Sequence, residues 1–395
     1  MQTVRSWALP GTALLLGVLS LFSGLLPWPE FLVLAERTVP ILLFVVAMTV
    51  VTELADDAEV FQVLTSKLAL WSSGAGRRGK VLLLWLIVVA LSTLSTVFLS
   101  LDTTAVLVTP VVVLLALHAR IPPLPFALTT VWLANTASLL LPVSNLTNLL
   151  AQHALAMTPW QFAGLLWAPA LLGVVIPVSF IWLLFRSRLQ GSYQPPDPDT
   201  APDKPLLLIS GFTVALLLPA LVSGLPVEYP ALVAAALLIC AFLLRRRSSL
   251  NWRILPVKPL LLTIGLFLVV QTLLVHGLPK LLAGAAGEGG GLGDLLQLST
   301  LAALTANAAN NLPAYLALEP TAGSPFRLAA LLIGVNLGPL ITPWASLATL
   351  LWHERLKALG ISVPWWRFVL LGLVLTIVLL PLAVLALWLS AGLPG

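Results

Sequence analysis

The sequence predicts an all-α polytopic membrane protein with two inverted-topology repeats, each containing a re-entrant hairpin and a broken transmembrane helix. Of its 395 residues, 59% are hydrophobic and only 9% are charged, a balance that soluble domains do not show. Apolar runs of about 20 residues, enough to cross a bilayer as a helix, recur along the chain without strand-type alternation. Four runs contain a polar interruption, two in each half.

The candidate spans continue along the whole chain on both sides of a polar linker. Residues 190–205, QGSYQPPDPDTAPDKP, predict a cytoplasmic linker between an N-terminal transmembrane repeat (1–189) and a C-terminal one (206–395). The segment 58–71 predicts an amphipathic helix at the membrane surface. The first span lacks a small-residue cleavage site, so we interpret it as a membrane helix. The spans are 8–26, 37–53, 80–118, 123–156, 160–185, 206–223, 230–244, 257–275, 292–318, 326–353 and 364–390.

The net charge of +5 predicts orientation rather than a nucleic-acid partner. With a cytoplasmic N-terminus and re-entrant segments near 100 and 310, every lysine and arginine except Arg37, Lys280 and Arg327 falls on the cytoplasmic side, as the positive-inside rule requires. The two hairpins then enter from opposite sides, which is typical of inverted repeats.

The residue types that metal and enzyme sites need are scarce. A single cysteine, Cys240, and four scattered histidines exclude a thiolate cage and indicate no metal site. No Ser/His, Ser/Lys or paired-Asp constellation lies within the spans, so we expect neither an enzyme nor a cofactor.

Two decamers, 141-LPVSNLTNLL-150 and 342-TPWASLATLL-351, align without gaps. Pro142 and Pro343 each remove a backbone donor and predict a helix break. Broken helices at membrane depth line protein cavities, so the polar side chains that follow are predicted to bind substrate. Hydrogen bonding between helices is the alternative interpretation. The polar residues are Ser144, Asn145, Thr147 and Asn148 in the first half, and Ser346 and Thr349 in the second.

A second pair of polar segments, 99–110 and 305–316, predicts the hairpin tips. Asp102 is the only acid within a predicted membrane segment away from its ends, and such acids commonly relay protons or cations. The alternative for Asp102 is a helix N-cap for 103–118. Asn310 and Asn311 are predicted to bind substrate, with an ordinary turn as the alternative. The predicted hairpin and break residues are Thr103, Thr104, Pro142, Pro313, Gly338 and Pro343.

Four segments together resemble bacterial arsenite/antimonite efflux permeases of the ion transporter superfamily. They are 334-GVNLGPLITPWASLATLLW-352, 135-NTASLLLPVSNLTNLL-150, Asp102-Thr103-Thr104 through Thr109-Pro110, and Asn310-Asn311-Leu312-Pro313. The first hairpin departs from the family pattern, since Leu101 replaces an asparagine and Thr103 a glycine.

The resemblance implies export of arsenite and antimonite across the bacterial inner (cytoplasmic) membrane, driven by protons and in some members assisted by a soluble ATPase subunit. Arsenite at neutral pH is chiefly As(OH)₃, which suits amides and hydroxyls. The alternative is a sodium-coupled dicarboxylate symporter or a sodium/proton antiporter of the same superfamily, but no Lys or Arg lies near the four polar interruptions. The expected mechanism is alternating access with a proton exchanged at Asp102.

Overall fold

The computed structural model describes residues 2–73, 79–193, 203–390 and 392. This part of the chain is almost entirely helical, and eight helices are long and apolar enough to cross a membrane. The two-residue strands β1 (Gly79–Lys80) and β2 (Ser192–Tyr193) pair antiparallel and tie the start of the predicted linker to the middle of the first half. The predicted fold class is confirmed.

The first half contains two long helices, a surface helix, a helical hairpin, a broken helix and a long final helix. A π-helical turn, Thr104–Val108, interrupts the second arm of the hairpin. The bounds are α1 Gln2–Phe22, α2 Trp28–Asp57, α3 Val60–Ser73, α4 Val81–Phe98, α5 Leu101–Thr103, α6 Thr109–His118, α7 Leu124–Thr136, α8 Leu146–Leu155 and α9 Pro159–Phe185.

The second half repeats this order after one additional helix. The bounds are α10 Lys204–Leu221, α11 Glu228–Arg245, α12 Val257–Val275, α13 Leu278–Ala286, α14 Leu292–Ala308, α15 Asn311–Leu318, α16 Pro325–Leu337, α17 Leu347–Ala358 and α18 Trp365–Ser390. Asp203 caps α10 by accepting a hydrogen bond from the Leu206 N–H. The hydrogen bond from the Arg245 guanidinium, with that cap, lowers the pKa of this exposed carboxyl.

The two halves correspond element by element when α11 is matched with α1, and α12 with α2. The surface helix α13 then matches α3, the hairpin α14–α15 matches α4–α6, the broken helix α16–α17 matches α7–α8, and α18 matches α9. Packing follows the same relation, because α1 lies against α12 and its counterpart α11 lies against α2. In the described chain α10 has no counterpart in the first half. One odd crossing of the membrane inverts the second repeat.

Several predicted boundaries shift. The helix predicted over 37–53 begins earlier, since α2 has 30 residues from Trp28. The first break begins at Ala137 rather than near 142, because a 3₁₀ turn precedes the proline. The predicted surface helix is α3. Within the predicted linker, residues 194–202 lie outside the described chain, as do Arg77 and Arg78, two of the cations predicted on the cytoplasmic side.

Small residues let neighbouring helices pack closely. Gly17 of α1 faces Leu268 and the Gly265 carbonyl of α12, where a Cβ atom would meet Leu268 Cβ at 2.6 Å. In a separate contact between the repeats, α9 of the first repeat packs along α18 of the second. We call α1, α2, α11 and α12 the framework, and α4–α9 with α14–α18 the hairpin block.

Candidate functional site

The two hairpin tips have the same backbone geometry. Leu99 ends α4 at φ −107°, ψ −58°, and Ala309 ends α14 at φ −114°, ψ −74°. The next residues, Ser100 and Asn310, are extended, at φ 163°, ψ 166° and φ 176°, ψ 161°, and each caps the second arm with its side-chain oxygen. Matching tips in unlike sequences confirm that the polar segments at 99–110 and 305–316 form one repeated structure.

The two helix breaks also match. After α7 and α16, one 3₁₀ turn follows directly (Ala137–Leu139 and Gly338–Leu340), and a second starts at Pro142 or Pro343. The residue that restarts the helix is extended in both halves, with Asn145 at φ −152°, ψ 144° and Ser346 at φ −136°, ψ 132°. The predicted breaks are therefore confirmed, with the prolines in the predicted places.

A glycine on the last helix of each repeat supports its break. A Cβ atom at Gly173 of α9 would lie 2.7 Å from the Thr136 carbonyl oxygen, just before the first break. At Gly372 of α18 it would lie 1.8 Å from the Leu340 carbonyl oxygen, inside the second. Only a hydrogen fits at these two contacts, so the long helices directly position the broken ones.

The polar side chains of the first break are buried and bonded to the protein. The Asn336 side chain, which comes from α16 of the other repeat, accepts from Asn145 Nδ2 at 2.7 Å and from Thr147 Oγ1 at 3.2 Å. Its own Nδ2 donates to Asn148 Oδ1 at 2.8 Å. Ser144 Oγ donates to the Val97 carbonyl at 2.7 Å, which ties the break to the first hairpin. In this conformation Asn336 and its three partners, Asn145, Thr147 and Asn148, form a hydrogen-bonded hub between the repeats.

The second break is joined to the second hairpin through Asn307. Its side-chain Oδ1 accepts from the Thr342 backbone N–H at 2.9 Å, and its Nδ2 donates to the Gly338 carbonyl at 2.8 Å. Trp344 Nε1 donates to the Asn307 carbonyl at 2.7 Å, and Asn310 Nδ2 donates to the Trp344 carbonyl at 2.9 Å. Asn310 is therefore more than an ordinary turn residue, since it closes this tip against the break.

The helix that restarts after the second break lacks the cap present in the first. Asn145 caps α8 by accepting from the Thr147 N–H, whereas Ser346 makes no such bond to α17. Ser346 Oγ is fully buried and has no hydrogen-bond partner among the described residues. Thr349 Oγ1 accepts only a long 3.4 Å bond from Asn135 Nδ2. The N-terminus of α17 thus offers backbone donors and a hydroxyl to a ligand.

Asp102 lies two residues beyond the first tip, and its side chain is exposed. Its predicted alternative role as N-cap is wrong, because Ser100 Oγ accepts from the Thr103 N–H and caps this arm instead. In the described chain Asp102 has no hydrogen bond or ion pair. Helix α5 packs directly against α17. A charged carboxylate is costly in lipid, so the exposed position of Asp102 favours contact with water.

Thr103 and Thr104 fix the backbone around Asp102. Thr103 Oγ1 pairs with Ser100 Oγ at 2.9 Å, and Thr104 Oγ1 pairs with Thr96 Oγ1 at 2.8 Å. The π-helical turn that begins at Thr104 leaves its carbonyl to accept from Thr109 Oγ1 at 3.0 Å. Such π turns are rare and concentrate at functional sites. The predicted tip residues therefore hold the backbone that presents Asp102.

Other predicted residues have packing roles. Gly338 has φ −63°, an ordinary helical value, and its place beside Ala303, where a Cβ would meet the Ala303 Cβ at 2.6 Å, is what requires glycine. Pro313 lies in the first turn of α15, where its missing N–H leaves no bond unmade. Asn311 Oδ1 accepts from the Leu312 N–H at 2.9 Å.

Sequence reasoning missed Asn336 and Trp344, and it noted Asn307 only as part of the polar cluster at the second tip. Asn336 lies in the quoted segment 334–352, and its alignment with Asn135 across the two repeats was a signal that could have identified it. Both asparagines reach across to the break of the opposite repeat. Hydrogen bonds that cross between repeats depend on packing, which the sequence does not show.

Paired hairpins and broken helices in an inverted repeat define the class of this molecule as a multi-pass membrane transporter. The model of the citrate transporter family, CitMHS, matches residues 3–327, which is most of the chain. The chain belongs to this family, and a member of a transporter family is not an enzyme.

Relatives confirm the predicted resemblance. The chain is 29% identical over 371 residues to the arsenical pump membrane protein of Escherichia coli (strain K12), covering 87% of this chain and 85% of that protein. It is 24% identical to a putative arsenical pump membrane protein of Bacillus subtilis, covering 82% and 80%. An uncharacterized transporter of Mycobacterium tuberculosis is 26% identical over 333 residues, covering 77% and 76%.

A solved structure shares the fold. The crystal structure of the Alcanivorax borkumensis YdaH transporter, described as having an unusual topology, superposes with a TM-score of 0.58 at 18% sequence identity. The match covers 95% of this chain and 90% of that one. At this identity the likeness concerns the arrangement of helices, and it extends over both repeats.

Proposed function

We propose that the chain is a secondary active transporter that exports arsenite and antimonite from the bacterial cytoplasm by alternating access, in exchange for protons. The observation that carries the proposal is the pairing of an exposed, unpartnered Asp102 on α5 with the uncapped N-terminus of α17, against which α5 packs. Asp102 exchanges protons, and the N-terminus of α17 provides uncharged hydrogen-bond donors to the substrate. Relatives named arsenical pump membrane proteins support this substrate.

The site that we propose is asymmetric between the repeats. Ser346 and Thr349 at the second break, with Asn310 and Asn311 of the second tip, contact the substrate. Ser144, Asn145, Thr147 and Asn148 belong to the same site, and in the present conformation their bonds to each other, to Asn336 and to the backbone hold the first break rigid.

The chemistry of the substrate fits an uncharged site. As(OH)₃ has three O–H donors and lone pairs on each oxygen, so amide, hydroxyl and backbone groups can satisfy it without a fixed cation. The backbone N–H groups at the start of α17 donate to these oxygens, and the Ser346 hydroxyl both donates to an oxygen and accepts from an arsenite O–H. Asp102 in its charged form accepts from an arsenite O–H, and a proton that arrives on Asp102 removes that acceptor. Proton binding and arsenite release are thereby linked at one carboxylate.

The family name favours citrate as the second candidate substrate. Citrate carries several negative charges at neutral pH, and no Lys or Arg lies in the tips or breaks at 99–110, 137–149, 305–316 or 338–349. A carboxylate substrate would therefore need bound sodium ions to neutralise it. Sodium dependence separates the two candidates.

The orientation and partition of the chain are parts of the same proposal. The N-terminus lies in the cytoplasm, the first hairpin enters from that side, and the second enters from outside. The chain divides into a repeat of residues 1–189, a cytoplasmic linker of 190–205 and a repeat of 206–395, with α10 as the crossing that inverts the second repeat. A soluble ATPase subunit would dock on the cytoplasmic loops.

Transport by the purified chain in liposomes tests the substrate. We expect As(III) accumulation that follows an imposed pH gradient and does not change when sodium is replaced by potassium. A matched preparation of Gly211→Ala, which changes an α10 site with nothing within 4 Å of the new Cβ, controls for reconstitution. Sodium-stimulated citrate uptake without As(III) flux would reject the proposed substrate and coupling. Flux by the chain alone would also show that an ATPase subunit is dispensable.

A further inference from the structure

One ion pair joins the framework to the hairpin block. Arg37, in the first turns of α2, donates through Nη1 to Glu319 Oε2 at 2.8 Å and through Nη2 to Glu319 Oε1. Tyr315 Oη donates to the same Oε1 at 2.8 Å. The two charged side chains are 26% and 13% exposed, so the bidentate pair is largely shielded from water.

The same guanidinium contacts both repeats of the hairpin block. Glu319 directly follows α15 of the second hairpin, and Arg37 Nη2 also donates to the Leu150 carbonyl of α8 at 3.3 Å. The cavity beside the pair measures about 20 Å³, enough for about one water molecule. Arg37 therefore closes a tight contact between α2, α8 and α15.

Pseudo-symmetry shows that this contact is present at only one end of the bundle. At the Arg37 end, α2 packs against α8 and α12 packs against α15. By the element matching, α12 with α17 corresponds to α2 with α8, and α2 with α5 or α6 corresponds to α12 with α15. Neither corresponding pair forms a comparable interface in the described residues. Two repeats of one structure that differ in this way indicate a conformation closed at the Arg37 end and open at the other.

We propose that Arg37 and Glu319 form a latch that keeps one end of the transporter closed and that opens when the site switches sides. The inference rests on the alternating access of the proposed function. The latch lies where framework and hairpin block meet, outside the substrate site.

Cysteine alkylation in membranes tests the latch without any substrate. Exposed Cys240 is replaced by serine, and a single cysteine is placed at Leu150, which is fully buried behind the pair. We expect Glu319→Gln to raise the rate of alkylation by N-ethylmaleimide about tenfold. Breaking a partly buried ion pair should cost more than breaking an exposed pair and less than breaking a fully buried one. A cysteine at Leu166, equally buried on α9, is the matched control and should stay unreactive.

The charge-reversed double variant Arg37→Glu/Glu319→Arg decides between a latch and a merely structural contact. Protection of the cysteine at 150 that is lost in Glu319→Gln and recovered in the double variant supports the latch. An alkylation rate at position 150 that does not change in Glu319→Gln overturns the latch. A double variant whose cysteine at 150 stays reactive also overturns it, whether or not the control cysteine at 166 reacts. Because no solute is transported in this assay, a failure of the arsenite proposal would leave its result unaffected.

Discussion

Replacing Asn336 by alanine removes the central side chain of the first-break hub. Asn145 Nδ2 and Asn148 Oδ1 then lose the partners they have at 2.7 and 2.8 Å, and Thr147 Oγ1 loses its 3.2 Å acceptor. Hydrogen bonds between membrane helices contribute about 0.6 kcal/mol each, because the unfolded helices find other partners. Three such bonds amount to about 2 kcal/mol, and the hub is buried enough for a value on this order to be observed.

The matched control is Asn135→Ala, at the same position of the other repeat and equally buried. Asn135 makes only one bond across the repeats, of 3.4 Å, so we expect a loss of about 0.6 kcal/mol. The free energy of unfolding in mixed detergent micelles titrated with dodecyl sulfate measures both losses. Equal effects of the two substitutions, or no effect of Asn336→Ala, would refute the argument that one asparagine holds the two repeats together.

Three further predictions concern the breaks and the loop between α13 and α14. Gly372→Ala places a Cβ 1.8 Å from the Leu340 carbonyl and should destabilise the protein by about 1–3 kcal/mol, while Gly164→Ala, in open space, should not; equal melting temperatures would contradict this. Ser346→Ala should raise the KM for As(III) about tenfold at unchanged stability, because the hydroxyl has no partner to lose; an unaltered KM would remove Ser346 from the site. Arg327 donates to the carbonyls of Ala286, Gly287, Gly289 and Thr321, so Arg327→Lys should lower the thermal stability, and a stable variant would contradict this role.

Much of this fold could be predicted because membranes restrict the options. Apolar runs had to be helices, and proline beside polar residues at membrane depth had to mark breaks inside the bundle. Pro142 and Pro343 accordingly begin matching 3₁₀ turns. The polar segments that contain the tips, 99–110 and 305–316, were also predicted, although Ser100 was not identified as the cap of the first hairpin.

Side-chain partners were less predictable. The sequence favoured a relay at Asp102 with an N-cap as the alternative, and the position of Ser100 Oγ shows that the cap is another residue. Asn145 and Ser346 align in sequence, yet one is bonded to the opposite repeat and the other has no partner. These differences arise from contacts between distant segments, which a single sequence leaves undetermined.

The central claim is that arsenite leaves as a proton enters through Asp102. The most direct measurement follows the internal pH of liposomes with a trapped fluorescent indicator when an As(III) gradient is imposed across the membrane. We expect arsenite-driven proton movement in the opposite direction, and its loss in Asp102→Asn at equal reconstitution. Arsenite flux with no accompanying pH change, or full coupling in Asp102→Asn, would contradict it.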